Sequence, residues 1–182
     1  MALKLLLHSC CAPCSSVCLE RLTSEYEIFD YYYNPNITEM SEYEYRENEL
    51  KRFIDEIPKV NPIHFVGGEF NPELFFNAVK GFEDCPERGD RCKICFKLRL
   101  MASALKCKEL GCDMFATTLT LSPLKDADLL NAIGEEVAKE VGVTYLPSNF
   151  KKKNGYLRSI ELSKEYNLYR QSYCGCVFSK RR

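Results

Sequence analysis

At 182 residues, 46% hydrophobic and 28% charged, the chain is long enough to close one core and too short to need two domains. No apolar run reaches the roughly 18 to 20 residues of a membrane span, and the opening leucines are interrupted by Lys4 and end in His-Ser-Cys-Cys; a membrane segment and a secretory leader are both read as absent, and a cytoplasmic protein is expected. Net charge is −1 but unevenly spread: residues 151–182 hold nine Lys or Arg against two Glu, and the other 150 residues are net −8, so the basic end reads either as a polyanion-binding face or as a solvated tail.

Leu3 to Leu7 has the length and apolarity of a buried strand, and Pro13 followed by Ser15, Ser16 and a Val/Leu face opens a helix. Glu27 to Tyr33 reads as a strand stopped by Asn34-Pro35-Asn36, and Ser41 to Ile57 as a helix with Tyr43, Leu50, Phe53, Ile54 and Ile57 apolar. A third strand spans Ile63 to Val66, a short helix runs from Pro72 to Lys80, and Gly81 to Arg91 has loop composition. Cys92 to Leu110 is a helix with Ile94, Leu98, Met101, Leu105 and Leu110 on one face and Gly111 as its stop. Asp113 to Leu119 is a fourth strand, Asp126 to Val141 a helix, Val143 to Leu146 a fifth strand and Tyr156 to Tyr166 the last helix, before an irregular Tyr173-Cys174-Gly175-Cys176 tail. Strands alternating with helices specify a parallel, doubly wound α/β sheet in a single domain, 1–182.

Eleven cysteines in tight groups favour metal or redox chemistry over a disulfide scaffold. Cys10, Cys11 and Cys14 fall where a strand hands over to a helix, the ligand-binding edge of an open α/β sheet, and Cys92 and Cys95 open another helix one turn apart. N–H groups at both helix starts favour thiolate, and four sulfurs from the two pieces would close a tetrahedral zinc site or hold a 4Fe-4S cluster. Adjacent residues point apart, so the Cys10-Cys11 pair favours a cluster, with its separate ligand positions, over one small ion. Cys174 and Cys176, separated by one glycine, read as an electron-passing thiol pair, as ligands of a second metal, or as an ordinary tail.

Cys18, Cys107 and Cys112 sit among apolar residues and read as structural thiols, while Cys14 and Cys85 stay unassigned. Two histidines, His8 and His64, are too few for a histidine site. Asp90 either caps the helix at Cys92 or protonates a leaving oxygen, capping being the plainer reading. Lys151, Lys152, Lys153, Arg158 and Arg170, with Tyr156, Tyr169 and Tyr173, mix cations with stacking faces as an RNA-binding surface does.

These motifs together resemble the QueH-type epoxyqueuosine reductases. The resemblance rests on His8 to Cys14, Tyr33 to Ile37, Glu87-Arg88-Gly89 with Cys92-x-x-Cys95-Phe96, Thr117 to Lys125, Lys151 to Tyr156, and Tyr169-Arg170-Gln171-x-Tyr173-Cys174-Gly175-Cys176; Asn149 departs from it, standing where an acid is expected. It implies a Rossmann-like sheet of the nucleotide-hydrolase kind with helices on both faces. It also implies a cobalamin-independent enzyme that reduces the epoxide of epoxyqueuosine at the tRNA wobble position to queuosine. By motif match, a 4Fe-4S cluster would be held by Cys10, Cys11, Cys92 and Cys95, with Cys174 and Cys176 as a redox-active pair. A second redox element is needed because a cluster passes one electron at a time, so an extra iron is the alternative to that pair, and an external low-potential donor completes the cycle. The competing readings are an ATP-dependent tRNA sulfur transferase, whose glycine-rich phosphate loop is missing because Cys10 to Ser16 holds no glycine, and a non-catalytic zinc-stabilised RNA-binding module.

Overall fold

Four parallel strands carry the fold: β1 (Leu3–Ser9), β2 (Tyr26–Tyr32), β3 (Ile63–Gly67) and β4 (Met114–Thr117), in spatial order β3-β2-β1-β4, in a computed structural model that describes residues 1–180. Arg181 and Arg182, counted in the basic segment above, lie outside the described residues. β1 is central, pairing Leu5 with Ile28 on one side and with Met114 on the other. Being covered on both faces, it needs apolar residues at successive positions: Leu5 and Leu7 enter one core, Leu6 the other.

Among the described residues six α-helices flank the sheet: α1 (Ala12–Leu22), α2 (Met40–Glu56), α3 (Pro72–Ala78), α4 (Asp90–Leu110), α5 (Ala127–Val141) and α6 (Gly155–Glu165). The Leu5/Leu7 core is shared with α1, α2 and α6, and the Leu6 core with α4 and α5. The chain thus leaves β1 toward one face and enters β4 from the other. The carboxyl end of β1 lies at that switch, where crevices form in doubly wound sheets.

Three expectations change. The fifth strand is reduced to a single parallel bridge, Phe115 to Tyr145, with Leu146 N–H donating to the Phe115 carbonyl at 2.8 Å; Pro147, without an N–H, cannot extend the ladder. Helix α4 begins at Asp90, with Gly89 at the cap position and no side-chain cap, so Asp90 sits inside the first turn and pairs with Lys93 at 3.2 Å instead of capping. Its buried face is also not the one the leucine spacing suggests. Cys95, Phe96, Arg99, Leu100, Ser103, Ala104 and Cys107 are buried, while Leu105 is 53% exposed. The helix packs against β1, α5 and α3, and Ile94 and Leu98 join a third small cluster with Phe75, Val79, Cys95 and Cys176.

Candidate metal centre and active-site cavity

Cys11 is the cap residue of α1, in extended backbone, and its carbonyl accepts both the Ser15 N–H at 3.1 Å and the Ser15 hydroxyl at 2.8 Å. The turn so fixed places the sulfurs of Cys10, Cys11 and Cys14 within 4.8 Å of one another. The Cys10 and Cys11 sulfurs are 3.8 Å apart. They therefore converge rather than diverge, and adjacency alone does not separate a cluster from a single ion. Hydrogen bonds from the Cys11 and Cys14 thiols, with the charges of Arg99 and Lys125, hold Cys10 well below the ordinary thiol range, whereas Cys11 is pushed up to about 12 and Cys14 well above its ordinary range by the same shared hydrogen bonds. One thiolate shared by two thiols is a soft, preorganised donor set that fits a thiophilic metal or an iron–sulfur cluster.

The other four thiols of interest share a cavity of about 470 Å³, lined by Cys92 and Cys95 from α4 and by Cys174 and Cys176 from the tail. Cys92 accepts the Arg88 N–H at 3.3 Å, and Arg88 reaches this position with a left-handed φ of 70°. Cys95 is buried, which raises its thiol, against the neighbouring Arg99 charge. The Cys176 thiol hydrogen-bonds to Cys174 and holds it well below the ordinary range, helped by Lys125 and by Ser179, whose Oγ is 3.0 Å away.

Arg99 joins the two thiol groups. It is 2% exposed, donates to Asn34 Oδ1 at 2.9 Å and approaches the Cys95 sulfur at 3.9 Å, and its charge acts on Cys10. Gln171 Nε2 lies 2.9 Å from the Cys11 sulfur, and its Oε1 is buried without a partner. Neither carried a role in the sequence reading, although Gln171 stands within the tail motif and Arg99 four residues after Cys95 on a helix, a spacing that puts Arg99 and Cys95 on one face. Buried Arg46 of α2 had no such signal. It donates to the carbonyls of Tyr173 and Cys174, at 3.1 Å each, and pins the tail over the cavity.

The remaining predicted residues take various places. His8 is buried and bridges the Tyr33 carbonyl (2.8 Å) and Thr117 Oγ1 (3.0 Å); burial and Arg99 lower it to about 3, so it is a neutral tie between strand ends. His64 pairs with Glu27 at the surface. Cys18 donates to the Cys14 carbonyl and Cys107 to the Cys112 carbonyl, and Cys85 supplies its carbonyl to Arg91. Asp90 is off the cavity wall. Asn149, where an acid was expected, has a buried Oδ1 without a partner.

Lys151 spends its ammonium on the carbonyls of Thr120, Ser122 and Lys125, at 3.0, 3.1 and 2.8 Å, clamping the loop between β4 and α5. Arg158 is engaged by Glu20 at 2.6 Å and Glu161 at 3.1 Å. Lys152 and Lys153 are exposed, and Arg170 lies 5.8 Å over the Tyr156 ring.

The family model described as Epoxyqueuosine reductase QueH matches residues 5–182. Among known proteins of that name, one from Streptococcus pyogenes serotype M1 is 44% identical over 177 residues, covering 96% of this chain and 69% of the relative. One from Staphylococcus epidermidis is 44% identical over 180 residues, with 97% and 76% covered. One from Thermotoga maritima is 35% identical over 180 residues, with 96% and 88% covered.

Proposed function

The chain belongs to the epoxyqueuosine reductase QueH family, and on that premise we propose that it reduces the epoxide of epoxyqueuosine, carried at the wobble position of a tRNA, to queuosine without cobalamin. The observation that carries this reading is the gathering of seven thiols at one edge of the sheet, three in a tight triad and four around a cavity of about 470 Å³. Such a donor set is far more than zinc stabilisation of a binding module requires, and zinc brings no electron transfer to a reductase.

Cys10, Cys11, Cys92 and Cys95 would hold a 4Fe-4S cluster, with Arg99 and Lys125 offsetting its thiolate charge; Cys14, third of the triad, is the available replacement ligand. Bound there, the cluster would supply low-potential electron transfer. The chain's own groups set up the rest. Opening an epoxide to an alkene breaks both C–O bonds and needs two electrons and two protons, with the oxygen leaving as water. The Cys174/Cys176 pair, one thiolate and one thiol, supplies both electrons and one proton as its sulfurs join in a disulfide, which an external low-potential donor then reduces, and the other proton comes from Lys125. Cys174, kept as thiolate by Cys176 and Lys125, is the more reactive member. The proton reaching the oxygen first is assigned to Lys125 rather than Asp90, because Lys125 lines the cavity and Asp90 does not.

The test is reduction of tRNA containing epoxyqueuosine by anaerobically reconstituted protein with a low-potential donor, lacking ATP and cobalamin. Nucleoside mass analysis should show loss of one oxygen. A mass gain that depends on ATP selects a sulfur transferase, and colourless, inactive protein with one zinc selects the binding module. Cys174→Ser and Cys176→Ser should keep wild-type iron and fail to complete even a single turnover; loss of iron would instead make them ligands of an additional iron.

A further inference from the structure

A second cavity, of about 270 Å³, lies on the far side of Pro123 and Leu124, which line both it and the thiol cavity; its other walls are Pro13, Cys14, Leu121, Ser122, Tyr156, Ser159 and Arg170. Its volume falls just below the roughly 300 to 1,000 Å³ of sites that enclose drug-sized ligands, so it suits a single flat ring system. One wall is the Tyr156 ring with the Arg170 guanidinium 5.8 Å over it, and the apolar remainder comes from Pro13, Leu121 and Leu124. Leu124 is 53% and Tyr156 39% exposed, large apolar groups for which the cores offer no role. An aromatic face beside a guanidinium plane is the surface on which unpaired bases stack.

The ridge between the cavities is held in place. Lys151 ties down the carbonyls of Thr120, Ser122 and Lys125 on either side of it, and Ser122 Oγ accepts the Leu124 N–H at 3.3 Å. Exposed Lys152 and Lys153 shortly precede Tyr156, where a phosphate backbone running past the cavity would be met by charge. We propose that the Tyr156/Arg170 cavity is a subsite for the base of the nucleotide adjacent to the modified one, so that the RNA straddles the Pro123–Leu124 ridge with one base on each side. This rests on the reading of the substrate as an epoxyqueuosine-bearing RNA, and it adds a determinant of which neighbours that RNA presents.

The test uses full-length protein and anticodon stem-loops with 2-aminopurine at the 5′ or the 3′ neighbour of the modified position. Stacking on Tyr156 should quench the fluorescence at one of the two neighbours, Tyr156→Phe should keep that quenching, and Tyr156→Ala should abolish it. In turnover, Tyr156→Ala should raise KM for the RNA about ten- to hundred-fold at near-constant kcat, and an abasic site at the same neighbour should reproduce the effect without adding to it. Equal quenching by wild type and Tyr156→Ala, or an unchanged KM with abasic sites at both neighbours, would overturn the subsite while leaving wild-type reduction intact. Failure of the wild type to reduce the RNA would instead count against the substrate reading, and the quenching measurement would still decide the subsite.

Discussion

Two buried residues beneath the triad set opposing pH dependences. Asp30 is fully buried on β2, and the loss of hydration raises its carboxyl to about 7 despite the Ser9 hydroxyl donating to it; burial lowers His8 to about 3. Between pH 4 and 6.5 folded Asp30 keeps a proton that the unfolded chain gives up, so its contribution falls as pH rises. Folded His8 refuses a proton that the unfolded chain takes, so its contribution rises with pH. The two slopes oppose each other across that window. Asp30→Asn removes the falling one, and its stability should climb by up to about 3 kcal/mol from pH 4 to 6.5, while wild type stays nearly flat. Urea midpoints at several pH values check this, and a flat Asp30→Asn profile contradicts it. At this scale the sequence singled out the thiols but not all of their company. Cys14 joins Cys10 and Cys11 because the first turn of α1 folds it back, and nothing in the order of residues ties Gln171 to Cys11 across 160 positions.

Among the elements, the tail depends most on a residue far from it. Arg46 is buried, pairs with Glu42 at 2.7 Å and holds two tail carbonyls, while Asn36 Nδ2 reaches the Cys174 carbonyl at 3.3 Å. Gly175 fits there because its φ is 104° and a Cβ would come 2.5 Å from Ile37 Cγ1. Arg46→Met leaves Glu42 without its charged partner, the Tyr173 carbonyl without the Arg46 donor and the Cys174 carbonyl with Asn36 alone, and should cost about 3 to 5 kcal/mol. It should also speed alkylation of Cys174 and proteolysis of the tail while iron content holds; unchanged Cys174 alkylation would mean the strap does not depend on Arg46. Element order was readable from alternating strand and helix patterns. The buried face of α4 was not, because a helix covered on several sides buries Arg99 and Ser103 where their hydrogen bonds are met and leaves Leu105 outside.

For the molecule as a whole, the basic segment divides into cations already spoken for and cations free to meet a polyanion. Lys152→Gln and Lys153→Gln should each flatten the salt dependence of RNA binding by about 0.7 to 1 unit. Lys151→Met should leave that slope alone and lower turnover instead, because its three carbonyl contacts shape the cavity wall; an equal loss of slope would return Lys151 to the binding surface. The parallel α/β class was legible in the sequence, as was the sheet edge carrying the thiols. That the charge excess is partly internal was not, since Glu20, which holds Arg158, lies 138 residues away. The same long separations impose an order of assembly. The triad, its cap and the Ser9–Asp30 and Asn34–Ser9 ties are complete within the first 34 residues, whereas the tail closes through contacts 127 to 160 residues apart. Closing so long a loop is entropically slow to be repaid, so the tail is the last segment to settle. During synthesis the three thiols therefore emerge, exposed, before the strap that will cover them has left the ribosome.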